Sequence, residues 1–192
     1  MENVLHPINA GENKAETPWF KDAMKNGLIL GGIHLVVVLL LYAALPSKLT
    51  GLSYVFFILV LNFGFTIYMG SQWRKEIGGF MDYGPAFKYA FILLVFNGLV
   101  GIVLSISLVL FDPNFPMVMA ESQRDTSIYW ASKFGAPEES LEQMRDQMDI
   151  NELAKQYSMG KSFISFGVAI CLYAVGALIM ALFIRKTEPV TM

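Results

Sequence analysis

Residues 86–111 read AFKYAFILLVFNGLVGIVLSISLVLF, and the only formal charge among them is Lys88, close to the start. A helix needs about 20 mostly apolar residues to cross a bilayer core of roughly 30 Å. Backbone polar groups in lipid must be satisfied within the segment, which a helix does and an isolated strand does not. This stretch therefore predicts a transmembrane helix.

Three other stretches meet the same requirement, and Lys161 is the only Lys, Arg, Asp or Glu in them. Together with the first stretch, they give predicted spans at residues 26–45, 50–70, 86–111 and 160–184. Pro46 directly follows the first span, and the connection to the second is short enough for an antiparallel hairpin. The predicted fold is therefore an all-α polytopic membrane protein with four transmembrane helices.

The composition of the whole chain agrees with this class. Of 192 residues, 55% are hydrophobic and only 16% are charged, against about 25% in a typical soluble domain. One core of a soluble domain of this size would not hide so much apolar surface. The net charge is −2, and no run of Lys and Arg is long enough to follow a phosphate backbone. We therefore expect the lipid bilayer as a partner and no nucleic acid.

One long segment, residues 112–159, separates the third and fourth spans and is predicted to be an amphipathic helical loop. Residues 137–157 favour a single helix, with one apolar stripe along it. That stripe consists of Leu141, Met144, Met148, Leu153 and Tyr157. A shorter helix is predicted at about 122–134, with an apolar side formed by Ile128, Tyr129, Trp130 and Phe134. These helices could rest on the bundle and the lipid headgroups, or they could dock a partner.

The orientation follows from Lys and Arg residues next to the spans, which favour the cytoplasmic side. Arg74 and Lys75 follow the second span, and Arg185 and Lys186 follow the fourth. Both pairs lie on the side of the membrane that holds the termini. We therefore predict that the N-terminal segment 1–25 and the tail 185–192 are cytoplasmic, and that the loop 112–159 is extracytoplasmic.

Polar side chains inside predicted spans are the usual indication of a functional site in membrane proteins. The candidates for intramembrane polar contacts are His34, Asn62 and Asn97, which lie at similar depths in the first three spans. We expect His34 to form a hydrogen bond with Asn62 or Asn97 in the bundle interior. The three could simply join the helices, or they could line a path for a ligand or a proton.

Small residues at helical spacing predict close contacts between helices. Gly27 and Gly31 form a GxxxG motif in the first span, and Gly98 and Gly101 lie together in the third. The fourth span has the pairs Ser165 and Ala169, then Ala177 and Ala181. These faces could pack inside one bundle or join two copies of the chain, and the motifs leave both open.

The sequence contains no Walker A, GxGxxG, GxSxG, CxxC or HExxH motif. We therefore expect no enzyme activity, no cofactor and no metal site. The favoured function is a non-catalytic packing or accessory component of the cell envelope, with a second copy or another membrane protein as partner. The alternative is a small transporter or channel component that uses His34, Asn62 and Asn97.

The connection between the second and third spans carries a recognisable pattern. An Arg precedes a Gly-Gly pair, an aromatic residue follows, and Pro-Ala-Phe-Lys leads into the span. The matching residues are Arg74, Gly78, Gly79, Phe80, Tyr83, Ala86, Phe87 and Lys88. In this pattern the chain resembles the bacterial domain of unknown function 4199 family over roughly residues 20–188. The resemblance implies a four-span inner-membrane protein of Gram-negative bacteria, and it implies no catalytic residue.

Overall fold

The computed structural model describes residues 16–188, so residues 1–15 of the predicted N-terminal segment and residues 189–192 of the predicted tail lie outside the described part. Within the described part there are seven α-helices and a short 3-10 turn at Pro46–Lys48. The helices are α1 (Glu16–Ala44), α2 (Leu52–Glu76), α3 (Tyr83–Phe111), α4 (Phe115–Lys133), α5 (Glu138–Gln147), α6 (Ile150–Lys155) and α7 (Met159–Ile184).

The predicted fold class is confirmed: α1, α2, α3 and α7 are each long and apolar enough to cross a membrane. Each helix is longer than the predicted span that it overlaps, although Leu45, Thr50 and Gly51 of the predicted spans lie outside α1 and α2. Helix α1 begins at Glu16, well before the apolar run, and α2 continues to Glu76. Arg74 and Lys75 lie in the last turn of α2, where a cation is favoured by the negative end of the helix dipole.

The two ends of the bundle differ. We call the end that carries α4, α5, α6 and the turn at residues 45–51 the loop face, and the end that carries residues 77–82 and 185–188 the opposite face. Every buried residue of the four long helices lies in the half of its helix nearer the opposite face or at the midpoint. The four helices therefore pack tightly in one half of the bundle and loosely in the other.

Helix α3 packs mainly against α1 and α7. Its contact with α1 depends on two glycines. A Cβ atom added to Gly27 would lie 2.4 Å from the backbone oxygen of Leu93, and one added to Gly31 would lie 2.6 Å from Cβ of Val100. The predicted GxxxG contact is therefore present, and it joins α1 to α3 within one chain.

The contact of α3 with α7 also uses small residues. A Cβ atom on Gly98 would lie 2.7 Å from the ring of Tyr173. Ala177 and Ala181 are completely buried, as the small-residue spacing predicts. Ser165 and Ala169 do not pack closely within the bundle in the same way, because both line a cavity on the loop-face side of this contact.

The loop helices differ from the predicted ones in two respects. The single helix predicted at 137–157 is wrong, since the chain breaks at Asp149, whose side chain accepts a hydrogen bond from the backbone N–H of Asn151 and caps α6. Helix α4 begins at Phe115 rather than near residue 122. The predicted stripe does face inward: Leu141 is buried, and its four other members are partly buried.

The apolar side predicted for the shorter helix is only partly buried. Ile128 is buried and Trp130 is half-buried, whereas Tyr129 is 55% exposed and Phe134 is 84% exposed. The two exposed rings are of the type that contacts lipid headgroups, which they would do if α4 rests at the membrane surface.

The Gly27 contact yields a stability prediction. Gly27→Ala should destabilise the protein by about 1–3 kcal/mol, because the new methyl group meets backbone that no side-chain rotation can move. Gly32→Ala is the matched control, since its Cβ would meet no described atom within 4 Å. Reversible unfolding in mixed detergent–SDS micelles measures the free energy of unfolding of each variant. Equal stability of the two variants would contradict the close contact of α1 with α3.

Candidate functional site

A cavity lies in the loosely packed half of the bundle, between α3 and α7, and has a volume of about 610 Å3. Helix α1 contributes His34, and the loop face contributes Thr50, Gln123, Gln156 and Tyr157. The lining residues of α3 and α7 include Asn97, Gly98, Gly101, Ser105, Ser162, Ser165, Ala169 and Tyr173. The cavity therefore runs from the loop face to the middle of the bundle.

The lining is uncharged and mixes polar groups with apolar side chains, among them Ile102 and Phe166. Hydroxyl groups, side-chain amides, one imidazole and aromatic rings line it, and the described lining includes no Asp, Glu, Lys or Arg. A formally charged ligand would therefore lose its hydration with no opposite charge to replace it, which is costly. Hydroxyl and amide groups of a neutral ligand would find both donors and acceptors there.

The inner end of the cavity is formed by two of the three predicted polar residues. Asn97 Nδ2 donates a hydrogen bond to Asn62 Oδ1 at 3.0 Å, and Asn62 Nδ2 donates to the backbone oxygen of Ile58 at 2.8 Å. Asn97 and His34 line the cavity, whereas Asn62 holds Asn97 from outside it. Asn97 therefore lies beside both Asn62 and His34.

The hydrogen bond expected from His34 is not formed. His34 approaches Asn97 without reaching hydrogen-bond geometry. His34 Nε2 and Asn97 Oδ1 are both buried and have no partner among the described residues. Such atoms each cost stability until a partner satisfies them. One hydroxyl group, which can donate to one atom and accept from the other, would suit both.

The outer end of the cavity is held by side chains of the loop face. The Tyr157 hydroxyl donates to Gln123 Oε1 at 2.8 Å and joins the segment after α6 to α4. Burial raises the pKa of Tyr157, so this phenol stays a neutral donor at physiological pH. Ser105 and Ser162 form a hydrogen bond at 3.2 Å where α3 and α7 line the cavity.

Hydroxyl groups attach α4 to the hairpin between α1 and α2. Thr50 Oγ1 lies 2.6 Å from Ser122 Oγ and 3.1 Å from Thr126 Oγ1, and Ser122 also donates to the backbone oxygen of Pro46. A second attachment is the Tyr42 hydroxyl, which donates to Asp112. This bond, with the backbone N–H of Asn114, holds the pKa of Asp112 below its usual value.

The opposite face carries a compact polar network. Asp22 accepts hydrogen bonds from Tyr89 at 2.6 Å and from Asn26 at 2.9 Å, which joins α1 to α3. Arg74 donates to the backbone oxygen of Ile184, at the end of α7. The Arg74 side chain therefore caps a helix, and this contact gives it a structural role.

Sequence reasoning missed most of the cavity. Ser162, Ser165, Ala169 and Tyr173 recur at the spacing of one helical face, so α7 carried a signal for a polar stripe. The contributions of Gln123 and Gln156 had no such signal, because they depend on how the loop helices fold over the bundle. Among the described residues, no group of three or more His, Cys, Asp or Glu side chains could hold a metal ion.

Comparison with known proteins gives a family and no individual relative. No curated protein matches the chain, and no solved structure matches it. Residues 25–186, which include all four long apolar helices except the first turns of α1, match the family described as "Protein of unknown function (DUF4199)". Because the match covers most of the chain, the protein belongs to the DUF4199 family.

Proposed function

We propose that this protein binds a small, uncharged polar solute in the cavity between α3 and α7, as a non-catalytic component of the cell envelope. The observation that carries the proposal is the pair of buried atoms, His34 Nε2 and Asn97 Oδ1, beside an uncharged cavity with hydroxyl and amide groups in its lining. A solute hydroxyl satisfies both atoms, and the hydroxyl and amide groups toward the loop face add further contacts.

A role in packing alone explains less of the molecule. Of the small-residue faces that could join two copies, Gly27 with Gly31 and Ala177 with Ala181 are used inside the bundle. Packing would favour apolar side chains where the cavity has serines and glutamines. A second copy or another membrane protein remains a predicted partner, which would deliver or receive the solute.

Transport across the membrane would need one further step. The half of the bundle near the opposite face is closed by buried residues, among them Leu93, Met180 and Ile184. A solute bound at His34 could continue only if α1, α3 and α7 separated there. Binding from the loop face needs no such movement, so we propose a binding component rather than a complete transporter.

The test uses the full chain in lipid nanodiscs, equilibrated with a pool of neutral polyols, sugars and nucleosides. Mass spectrometry then identifies the compounds retained after washing. Ser165→Phe fills the cavity and should lower retention of the bound compound by about tenfold or more. Ile164→Phe is the matched control, because Ile164 is the adjacent residue and is 62% exposed outside the cavity lining.

Equal retention by Ser165→Phe and Ile164→Phe would contradict the proposal, as would retention of no compound by the unaltered protein. Retention of charged compounds in preference to neutral ones would contradict the proposed ligand class.

We also propose that the protein lies in the bacterial inner membrane with both termini in the cytoplasm, so that the cavity opens to the extracytoplasmic side. The basic pairs at residues 74–75 and 185–186, both at the opposite face, support this orientation. Glu139 on α5 and Glu76 at the end of α2 are exposed on the two different faces.

Labelling of single cysteines tests the orientation. In a Cys171→Ala background, a membrane-impermeant maleimide added to intact spheroplasts should label Glu139→Cys and leave Glu76→Cys unlabelled until the membrane is opened. The reverse pattern would show that the cavity opens to the cytoplasm.

A further inference from the structure

A second site lies on the outside of the bundle, where α4 meets the hairpin between α1 and α2. A cavity of about 620 Å3 with mixed polar and apolar walls has Lys48 and Ser53 on the hairpin side and Asp125, Thr126 and Trp130 on the α4 side. We call it the headgroup cavity. It contains both a cationic and an anionic side chain. The cavity between α3 and α7, which we call the solute cavity, has neither.

An apolar groove of about 430 Å3 adjoins the headgroup cavity. Val37, Leu40 and Leu41 of α1 line one wall, and Tyr54 and Phe57 of α2 line the other. We call it the acyl groove. Lys48 and Ser53 line both spaces, so the headgroup cavity and the acyl groove meet at these two residues.

The arrangement matches the order of groups in a phospholipid. Lys48 lies in the turn just beyond the apolar stretch of α1, at the level of lipid phosphates, and Trp130 is of the residue type enriched at that level. The acyl groove begins at Lys48 and extends along α1 toward the middle of the span. A lipid would therefore place its phosphate at Lys48 and one acyl chain between α1 and α2.

The charges select among headgroups. The Lys48 ammonium has no hydrogen-bond or ion-pair partner among the residues that the structure describes, so it is available to a phosphate. Asp125 lies across the cavity. Within the described part of the chain, its ion-pair partner is the neighbouring Arg124, whose Nη2 lies 3.4 Å from Asp125 Oδ1. Its other oxygen can accept hydrogen bonds from a primary amine.

We propose that the headgroup cavity and the acyl groove together bind one zwitterionic phospholipid with a primary amine, of the phosphatidylethanolamine class. Binding there would fill the space between α4 and the hairpin and so steady the helix that carries Gln123 over the solute cavity. The site does not depend on the proposed solute, because the two cavities have no lining residue in common.

Native mass spectrometry of the full chain in detergent tests the proposal. The probes are palmitoyl-oleoyl phosphatidylethanolamine, the phosphatidylglycerol and diacylglycerol with the same chains, and glycerophosphoethanolamine, the soluble headgroup alone. Phosphatidylethanolamine should bind about tenfold more tightly than diacylglycerol, which has no phosphate, and several-fold more tightly than phosphatidylglycerol, which has no amine.

Two substitutions separate the contribution of the lipid phosphate to binding from that of the lipid amine. Lys48→Gln should weaken the binding of phosphatidylethanolamine and of phosphatidylglycerol alike, by about fivefold to tenfold. Asp125→Asn should remove the preference for the amine-bearing lipid. Lys161→Gln is the matched control, because Lys161 is an exposed lysine in the first turn of α7 and lines neither space. Both substituted residues of the site are exposed, so the variants should fold.

Three results would overturn the proposal. Equal weakening by Lys48→Gln and Lys161→Gln would mean that lysines attract lipid without a specific site. Equal binding of diacylglycerol and phosphatidylethanolamine would remove the headgroup from the site. Binding of glycerophosphoethanolamine as tight as that of the lipid would leave the acyl groove without a role.

Discussion

Helix α3 packs along α1 on one side and along α7 on the other, and the glycines at these contacts determine how near the helices approach. Gly27 brings the backbone of α1 against that of α3, and Gly98 makes room for the Tyr173 ring of α7. In lipid, where apolar surface gives little drive for association, such close van der Waals contact is a main source of stability between helices. Helix α2 packs against all three of these helices.

The polar cavity is a consequence of where these contacts lie. They are concentrated toward the opposite face, where α3 is buried from Ala86 to Gly98 and α7 from Ala177 to Ile184. Beyond Gly98 the two helices carry serines and Gly101 toward each other, and the helices α4 and α6 lie over the space between them. His34 and Asn97 therefore lie where the tightly packed half of the bundle meets the loosely packed half, which contains the uncharged cavity.

The sequence predicts the parts of this architecture that depend on one helix at a time. Apolar runs identify the four spans, and GxxxG spacing identifies the α1 face that α3 contacts. Two local signals mark where the loop helices differ from the predicted ones: Pro116 in the first turn of α4, and Asp149 as the cap that divides α5 from α6. The cavity depends on how three helices and a folded loop sit side by side. Similar depths along the helices predict that His34, Asn62 and Asn97 lie near one another. They do not predict which two of the three form a hydrogen bond.

The central claim is that water reaches the loop-face half of the bundle through the cavity while the outer faces of the same helices contact lipid. The most direct measurement is the rate at which a charged methanethiosulfonate reagent modifies Ser165→Cys and Ile164→Cys, each in a Cys171→Ala background. These adjacent positions lie at the same depth, about 1.5 Å apart along α7, and only the ionised thiol in water reacts. The account predicts modification of Ser165→Cys about 100-fold faster than that of Ile164→Cys. Equal, slow modification at both positions would show a dry bundle and contradict it.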